Sequence, residues 1–422
     1  MTTSDYLTQL QQDREDLVDN LETMGITGLS GDETFTELVP EILNIPSGSG
    51  GEEAIEKDVN FYDYDGKRVY SYTKAEFLLL ESMPDNPTHT GLTAQGWNWS
   101  LADAKTYVTD YTKLNIGQMY ITDDGKTRIY VRLEKNMLSP YVGFAVNGTA
   151  TINWGDGTTD TITGTSISTV INTQHNYSSE GDYVITLSSE SSIYLWGHTS
   201  YGSYLLWGNL TTTNENNKYQ NAINKIELGS PIDIREYPFQ NCSSLKYITM
   251  PNYITTLNYG WFKNCSSLKY ITIPTNVSTL LLSAFQNCYS LKNISIPKTT
   301  EINNNYAFSY NTALENISMP LTSVIGQYAF QNCFPLRYLI IPSSVSDIKA
   351  NAFVGCTSMA YYDFSKHTSI PTLRNVNAFS GMSSDCKIIV PDSLYNNWIT
   401  TNIWSTYASN IIKKSTWDSL GQ

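Results

Sequence analysis

Charged residues are scarce in this sequence of 422 residues, and no apolar run is long enough to cross a membrane. Asp, Glu, Lys and Arg together make up 16% of the chain, against roughly 25% in ordinary globular domains. The longest apolar stretches fall short of the ~18 residues that a membrane helix needs. Ser, Thr, Asn and 30 Tyr take the place of the missing charges. This composition predicts a surface suited to contact.

Acidic residues outnumber basic ones by 40 to 26, but the excess is local. Residues 1–60 contain 14 acidic residues and only Arg14 and Lys57 as basic ones, so the rest of the chain has a net charge of only −2. An acidic field opposes contact with nucleic acids and anionic membranes, and a near-neutral surface does not attract them. We therefore expect neither a nucleic acid nor a membrane as a partner.

Histidine is also rare, and the motifs of common enzyme classes are missing. The four histidines do not form H-E-x-x-H, and the sequence contains no G-x-S-x-G, P-loop or G-x-G-x-x-G. We therefore predict a non-enzymatic protein without catalytic residues, a cofactor or a metal site. One alternative stays open, because two carboxylates for glycoside hydrolysis could lie within residues 59–136. Asp123 and Asp124, however, belong to a predicted turn there.

A 23-residue repeat is the strongest pattern in the sequence. Segments that start NCSSLKYITMP, NCSSLKYITIP and NCYSLKNISIP place Cys242, Cys265 and Cys288 at intervals of 23 residues. A period of about 20–29 residues with L-x-x-I-x-I is typical of a leucine-rich solenoid, in which each repeat buries its neighbour. These repeats, about seven over 223–391, resemble the BspA-type leucine-rich repeats of bacterial surface antigens, and the resemblance implies adhesion. A Phe recurs in the same register, at Phe239, Phe262, Phe285, Phe308, Phe330, Phe353 and Phe379.

The repeated Cys position suits a buried thiol that faces the backbone. Asn311 occupies it once before Cys333 and Cys356 resume it, while Cys386 lies outside the register. Neighbouring strands are about 4.8 Å apart, within the Cα–Cα range of a disulfide, so distance alone leaves bridging open. One thiol per repeat does not match the paired cysteines of zinc sites. We expect free structural thiols, with disulfides and a metal as alternatives.

The outward positions of the repeated strands are the predicted binding face. The Leu and Ile of L-x-x-I-x-I point inward, and strand alternation turns the intervening residues toward the concave sheet face. Tyr with Ser, Thr and Asn is typical of recognition surfaces; simple solvation of the face is the alternative, and lateral loops could carry the contacts instead. Because the face is uncharged, we predict a neutral polar ligand such as a host-surface glycan or protein. The predicted binding residues are Tyr247, Thr249, Tyr270, Thr272, Asn293, Ser295, Asn316, Ser318, Tyr338 and Ile340.

A different β-rich segment precedes the repeats. It contains W-G-D-G from Trp154, H-x-Y from His175 and G-x-Y from Gly181. This pattern resembles the polycystic-kidney-disease (PKD) type of immunoglobulin-like β-sandwich, a module that usually serves as a spacer or sugar-associated unit in extracellular proteins. Asp156 could bind a cation, but capping of the turn between two glycines is favoured.

Residues 59–136 are predicted to form a small α+β module. FYDYDGKRVYSYT and QMYITDDGKTRIYVRL are alternating runs interrupted by Asp-Gly, which indicates hairpins. TKAEFLLLESM and SLADAKTYVTDY are predicted helices, the second with Ser100 as its N-cap. Four aromatic residues could form a platform for a sugar, but a small core is favoured. They are Trp97, Trp99, Tyr107 and Tyr111.

The first 24 residues have the spacing of a coiled coil. Apolar residues alternate at steps of three and four, and a polar Arg in the seam could set the register. An isolated helix of this length is marginal, so we predict that it self-associates, with a trimer favoured. The seam consists of Leu7, Leu10, Arg14, Leu17, Leu21 and Met24.

The N-terminal region also bears on the location of the protein. A second short helix and a Gly/Ser linker follow the seam, an arrangement similar to the N-terminal segments of tail-fibre and baseplate adhesins in phages of gram-positive bacteria. The N-terminus lacks the basic and apolar regions of a secretory signal peptide, and no anchor motif ends the sequence. These features favour a virion location.

Together the patterns predict a mainly β, multidomain protein. The predicted order is a helical oligomerisation and attachment segment (1–46), a linker (47–58), the α+β module (59–136), the PKD-like sandwich (137–190), a connecting segment (191–222), the solenoid (223–391) and a helical cap (392–422). The favoured function is a phage-tail adhesin, assembled in the bacterial cytoplasm, that joins other tail or baseplate proteins through its N-terminus and contacts the host through its repeats. A bacterial cell-surface adhesin is the alternative, followed by the carbohydrate-binding part of a glycan hydrolase.

Overall fold

The computed structural model describes residues 57–110, 113–198, 200, 202–208, 218–296, 301–302 and 305–420. Residues 57–422 form one compact unit. The predicted coiled-coil seam, the rest of segment 1–46 and the linker up to residue 56 lie outside the described residues. The corresponding interpretations therefore stay predictions.

An α+β module forms the first part of this unit. Its strands are β1 (Val59–Tyr62), β2 (Arg68–Tyr72), β3 (Leu92–Trp97) and β4 (Leu114–Thr122), and its helices are α1 (Lys74–Leu79) and α2 (Leu101–Asp110). The sheet order is β2–β1–β4–β3, with β1 and β4 parallel. The hairpin predicted between β1 and β2 is confirmed, with Gly66 in the left-handed region at φ +81°. Both predicted helices form, and the Asp103 amide donates to Ser100 Oγ at the start of α2.

The aromatic side chains of the module pack inside it. Trp97, Trp99 and Tyr107 are buried, and the rings of Phe61 and Trp97 meet edge to face with centroids 4.8 Å apart. The favoured interpretation, a small core, is confirmed for these residues. Tyr111 lies outside the described residues.

The second predicted hairpin is wrong, although its turn forms. The Lys126 amide donates to Asp124 Oδ1 at 3.1 Å, and Arg128 pairs with the same carboxylate at 2.6 Å. The next strand, β5 (Thr127–Leu133), nevertheless pairs with strands of a different sheet. The turn therefore carries the chain out of the module, and the predicted boundary at residue 136 falls after a strand that belongs to the following region.

One mixed sheet follows the module, in place of a separate two-sheet sandwich. The further strands up to the first repeats are β6 (Tyr141–Asn153), β7 (Thr159–Gln174), β8 (Gly181–Ser189), β9 (Ile193–Leu195), β10 (Gly197–His198), β11 (Gly202–Ser203), β12 (Ile223–Glu227), β13 (Ile232–Ile234) and β14 (Tyr247–Ile248). The sheet order is β13–β9–β6–β8–β5–β12–β14, with β7 on β6, and β10 pairs only with β11 among the described strands. Because β12 and β14 also begin the repeats, backbone hydrogen bonds join this region to the solenoid. The PKD-like sandwich predicted for 137–190 is not supported.

The W-G-D-G segment forms a packed corner of this sheet. The ring of His175 stacks on Trp154 at a centroid distance of 4.7 Å, and Tyr177 Oη donates to the Trp154 carbonyl. Asp156 accepts a hydrogen bond from the Thr158 amide at 3.0 Å and lies 2.7 Å from His175 Nε2. Although desolvation opposes the shift, these hydrogen bonds lower the pKa of Asp156 to about 2. Asp156 therefore caps the turn, as favoured.

The repeats form two rows of short parallel strands. The first row lies on the L-x-x-I-x-I segments and continues from β14 through β17 (Asn293–Ser295), β19 (Asn316–Ser318), β21 (Tyr338–Ile340), β23 (Tyr361–Asp363), β25 (Lys387–Val390) and β26 (Ile411–Lys413). The second row consists of β15 (Thr256–Leu257), β16 (Thr279–Leu280), β18 (Glu301–Ile302), β20 (Val324–Ile325), β22 (Asp347–Ile348) and β24 (Thr372–Leu373). The second row is one six-stranded sheet, while the first is divided into shorter ones. The predicted leucine-rich solenoid is confirmed.

The Phe position stacks through the solenoid core. Consecutive rings from Phe239 to Phe379 have centroids 5.2–5.5 Å apart and nearly parallel planes. Each ring therefore closes the apolar face that the preceding repeat leaves open, which is why isolated repeats of this kind are not stable.

The Cys position provides a small hydrogen-bond donor for the previous repeat. Cys288 Sγ donates to the Phe262 carbonyl at 3.1 Å, and Asn311 Nδ2 donates to the Phe285 carbonyl at 3.0 Å. The same contact explains why Asn can replace Cys once. All six cysteines are free and buried, as expected, and burial raises the pKa of the Cys356 thiol to about 12.

The C-terminal segment is more than a helical cap. Helices α3 (Tyr395–Thr400) and α4 (Lys414–Ser419) flank β26, which pairs in parallel with β25. The first strand row thus continues beyond the predicted boundary at 391. Trp398 and Trp404 are fully buried at this end, so they close the last repeat with apolar side chains.

Candidate functional site

The α+β module covers much of the predicted binding face. We call the outward positions of the first strand row the strand face; they include the ten predicted binding residues. Tyr62 of the module packs on Tyr270, with ring centroids 5.0 Å apart. Trp99 Nε1 donates to Ser295 Oγ at 2.8 Å, and Asn98 Nδ2 donates to the Ile273 carbonyl at 3.0 Å. These contacts join side chains almost 200 residues apart in the sequence.

Half of the predicted binding residues are buried, and for them the expected exposure is wrong. They are Thr249, Tyr270, Thr272, Ser295 and Ser318. For Tyr270, Thr272 and Ser295, the physical reason is that the uncharged strand face packs against the module without leaving a charge desolvated. Thr249 instead accepts a hydrogen bond from the Leu228 amide at 2.9 Å. Gly117 of β4 makes the approach close, because an added methyl group there would overlap Thr272 Oγ1 and lie 2.6 Å from Tyr270 Oη. Burial also raises the pKa of Tyr270.

The remaining strand-face residues are partly exposed and mostly bonded to each other. Asn316 Nδ2 donates to Asn293 Oδ1 at 2.8 Å, and Tyr338 Oη donates to Asn316 Oδ1 at 2.7 Å. Ile340 packs against the core of the module. Tyr247 is partly exposed at the other end of the row. Ligand binding by these five residues stays a prediction.

A second surface of the solenoid carries exposed aromatic side chains. Tyr289 and Phe334 directly follow the Cys position, and Tyr310 directly precedes it, in three successive repeats. Their exposed fractions are 47%, 41% and 38%, respectively. We call these three side chains the loop edge. Successive solenoid strands are about 4.8 Å apart, so the loop edge presents three rings within the reach of one ligand.

A hydrogen bond from the buried Cys position and a repeated backbone conformation stabilise the turns that carry the loop edge. Cys333 Sγ donates to the Phe308 carbonyl at 3.2 Å, directly beneath the turn with Phe334. Asn287 and Asn332 precede the Cys position with left-handed φ of 63° and 57°, and Tyr310 adopts the same conformation at 60°. Asn tolerates this conformation far better than Tyr does. The hydrogen bond from Cys333 and the repeated turn conformation hold the backbone from which the exposed rings project.

Charges beside the loop edge nearly balance. In the same three repeats, Lys292 and Glu315 lie 4.0 Å apart and are both largely exposed, and Arg337 follows one repeat later. Such exposed pairs contribute little to stability. A ligand of the loop edge is therefore not selected by strong charge.

A group of ionisable side chains lies at the junction between the module and the mixed sheet. Lys225 lies 2.7 Å from Glu227, and its ammonium is 4.7 Å from the ring centroid of Tyr130. Although desolvation opposes the shift, the hydrogen bond to Glu227 raises the pKa of Lys225. Nearby, Asp63 and His89 are 2.7 Å apart. Each of these charged side chains has an ion-pair or hydrogen-bond partner within the group, which indicates a structural role.

Neither a metal-binding cluster nor a membrane-spanning helix is found in the part of the chain that the structure describes. There, no group of three or more His, Cys, Asp or Glu side chains could hold a metal ion. None of the helices described is both long and apolar enough to span a membrane.

Sequence reasoning missed the loop edge, although a signal existed. At the position after Cys, two repeats have Ser243 and Ser266, whereas the aromatic residues Tyr289 and Phe334 replace this Ser later. The regular pattern indicates the strands, whereas the aromatic residues that depart from it indicate the exposed aromatic surface.

Comparison with known families identifies the repeats. A model described as "BspA type Leucine rich repeat region" matches in six copies over residues 232–360 and 304–413. The solenoid therefore consists of BspA-type leucine-rich repeats, and the match includes β26 beyond the predicted boundary. No curated protein matches the sequence significantly.

Solved leucine-rich repeat structures show only distant similarity. A leucine-rich repeat protein from Bacteroides ovatus is 18% identical with a TM-score of 0.26, and the match covers 45% of this chain and 65% of that one. A leucine-rich cell surface protein from Faecalibacterium prausnitzii is 22% identical with a TM-score of 0.30, covering 43% and 52%. A leucine-rich repeat protein from T. pallidum is 17% identical with a TM-score of 0.24, covering 49% and 86%. The chain thus spans less than two thirds of the first two relatives.

Proposed function

We propose that this protein is a non-enzymatic adhesin whose solenoid contacts a cell surface through the loop edge. The observation that carries the proposal is the exposure of Tyr289, Tyr310 and Phe334 on consecutive, backbone-anchored turns. Large aromatic side chains dominate the energetics of interfaces, and rings on a fixed backbone lose little entropy on binding. The BspA-type repeats support an adhesive role.

The ligand that suits this surface is neutral and polar. Aromatic rings provide flat apolar area, and the neighbouring Gln286, Asn287, Gln331 and Asn332 provide amide donors and acceptors. A surface glycan or an uncharged patch of a surface protein matches this combination. Because charge does not steer the encounter, binding should depend little on moderate salt.

The test exchanges the aromatic residues for those that other repeats carry at the same positions. The triple variant Tyr289→Ser, Tyr310→Asn, Phe334→Ser should fold normally, since Ser and Asn already occupy these positions elsewhere. Labelled protein is measured on whole cells of a panel of gram-positive bacteria. We expect at least a tenfold loss of binding.

A strand-face triple variant, Tyr247→Ala, Asn316→Ala, Tyr338→Ala, provides the comparison. If it loses binding while the loop-edge variant binds normally, the recognition site is the strand face and the loop-edge assignment is wrong. If binding by neither variant changes, the solenoid surface is not the adhesive part.

Two locations compete for such an adhesin, and both are proposals. The cell-surface location fits the BspA-type repeats at least as well as the phage tail does. The phage-tail location depends on the N-terminal segment, with tail or baseplate proteins as further partners. Antibody labelling of bacteria and of purified phage particles in the electron microscope distinguishes them.

Self-association through the seam from Leu7 to Met24 is part of the proposal. Light scattering should give an oligomer, a trimer first, for the full chain and a monomer for a chain that starts at Val59. A monomeric full chain would contradict the coiled coil.

A further inference from the structure

The first two repeats separate on one side of the solenoid. Strand β13 ends the mixed sheet and β15 ends the six-stranded sheet, and no pairing joins the two among the described strands. At the next step of the row the ladder is regular, since Ser278 N donates to the Thr255 carbonyl at 3.0 Å and Leu281 N to the Leu257 carbonyl at 2.9 Å. Beside β13 and β15, the described residues form a weaker contact, in which Asn258 Nδ2 donates to the Ile234 carbonyl at 3.5 Å.

A cavity of about 500 Å³ occupies this separation. Both strand edges line it, together with the hydroxyl groups of Ser192, Ser230 and Thr255, so that most of the available groups are polar. Tyr253 contributes a ring with 37% exposure, whose Oη is already bonded to the Gly229 carbonyl. A volume of this size is typical of small-molecule sites.

Trp261 distinguishes this point of the solenoid from the later repeats. It stands directly before Phe262, where the later repeats carry a small residue. Those residues are Ala284, Ala307, Ala329, Ala352 and Ala378. Trp261 lines the cavity, is 1% exposed, and its buried Nε1 has no hydrogen-bond partner among the described residues. Because that nitrogen is shielded from solvent, the Trp261 ring lines the cavity without offering its N–H to a ligand.

The polar groups of the cavity select against most ligand classes. Asp233 carries the cavity's one lining carboxylate among the described residues, and it is paired with Arg235 at 3.0 Å. No Lys or Arg is among the described lining residues, so the cavity offers no positive charge that would attract an anionic ligand. An apolar ligand would desolvate hydroxyl groups and strand edges without replacing their hydrogen bonds. A ring with several hydroxyl groups both donates to carboxylate and carbonyl groups and accepts from hydroxyl groups.

From this geometry we infer that the cavity between β13 and β15 binds one ring of a neutral sugar. Asp233 accepts from the sugar hydroxyls, Tyr253 contacts the C–H face, and the Trp261 ring lies beside the bound sugar. The site is separate from the loop edge, and the inference does not depend on the proposed function.

The experiment titrates the full chain with glucose, galactose and N-acetylglucosamine while the indole ¹H–¹⁵N resonance of Trp261 is followed by NMR. The spectrum of Trp261→Phe assigns that resonance. We expect a saturable shift with at least one sugar in the millimolar range. Asp233→Asn should weaken this binding at least tenfold.

The chain offers a matched control at the same position of a later repeat. Asp347 lies in β22 and is paired with Arg374 at 2.9 Å, much as Asp233 is paired with Arg235. Asp347→Asn should therefore leave the titration unchanged, and so should the loop-edge triple variant. If none of the three sugars shifts the resonance, or if Asp233→Asn and Asp347→Asn titrate alike, the site is refuted.

Discussion

The strand face and the loop edge arise from the same 23-residue period but differ in what covers them. On the strand face, the α+β module buries Tyr270 and Ser295 beneath Tyr62 and Trp99. On the loop edge, Tyr289 remains 47% exposed. A repeat pattern thus determines which side chains point out of a solenoid, whereas the rest of the chain determines which of them reach solvent.

Emptying the core beneath both surfaces should have the largest effect. Phe285→Ala removes a ring that stacks on Phe262 and Phe308 at 5.3 and 5.5 Å. We expect a loss of about 3–5 kcal/mol in the free energy of unfolding, the usual cost of a large cavity. Denaturant titration measures it, with Tyr289→Ser on the loop edge as the control. Equal stability of the two variants would contradict the assigned register.

Crowding the contact between module and strand face should have an intermediate effect. Gly117→Ala places a methyl group against Thr272 and Tyr270, and we expect a loss of about 1–3 kcal/mol, as for an overpacked core. Thr272→Ala in the same chain should restore part of it, because it removes one of the two clashing side chains. A fully stable Gly117→Ala protein would mean that the module does not cover the strand face in solution.

Changing the thiol under the loop edge should have the smallest effect on stability. The hydroxyl group of Cys288→Ser can donate to the Phe262 carbonyl as the thiol does at 3.1 Å. We expect a cost of only about 1 kcal/mol, because one hydrogen bond replaces another. Cys288→Val is the comparison variant, since its side chain cannot donate a hydrogen bond, and we expect it to be less stable than Cys288→Ser. A serine variant less stable than the valine variant would show that the carbonyl contact is not what the position requires.

The native protein should also protect its thiols from alkylation. All six are buried, and burial raises the pKa of Cys356 and Cys386 to about 12, so little thiolate forms at pH 8. Mass spectrometry after iodoacetamide treatment should find almost no labelling in the folded chain and full labelling in denaturant. Rapid labelling of the folded chain would contradict the buried ladder.

Local chemistry made several features predictable from the sequence. The 23-residue spacing of Cys and the Phe in the same register predicted the solenoid, because a stack of similar turns places the same residue types in the same environment. The single Asn311 in the Cys position correctly indicated a buried donor to the backbone. The turn at Asp156 followed from two flanking glycines.

Tertiary structure alone decided how the regions combine. Alternation within Lys-Tyr-Ile-Thr-Ile turns Tyr270 and Thr272 outward, but no local pattern reveals that Tyr62 and Gly117 will pack on them. The PKD-like motif likewise indicated the turn at Asp156 but not the strand pairing around it, since β12 pairs with β5 across about a hundred residues. Periodicity is a property of neighbouring residues, whereas burial depends on all surfaces that the chain brings together. The repeat and its buried Cys and Phe positions were therefore predictable from local pattern, whereas the outer surface that stays open depends on contacts between distant parts of the chain.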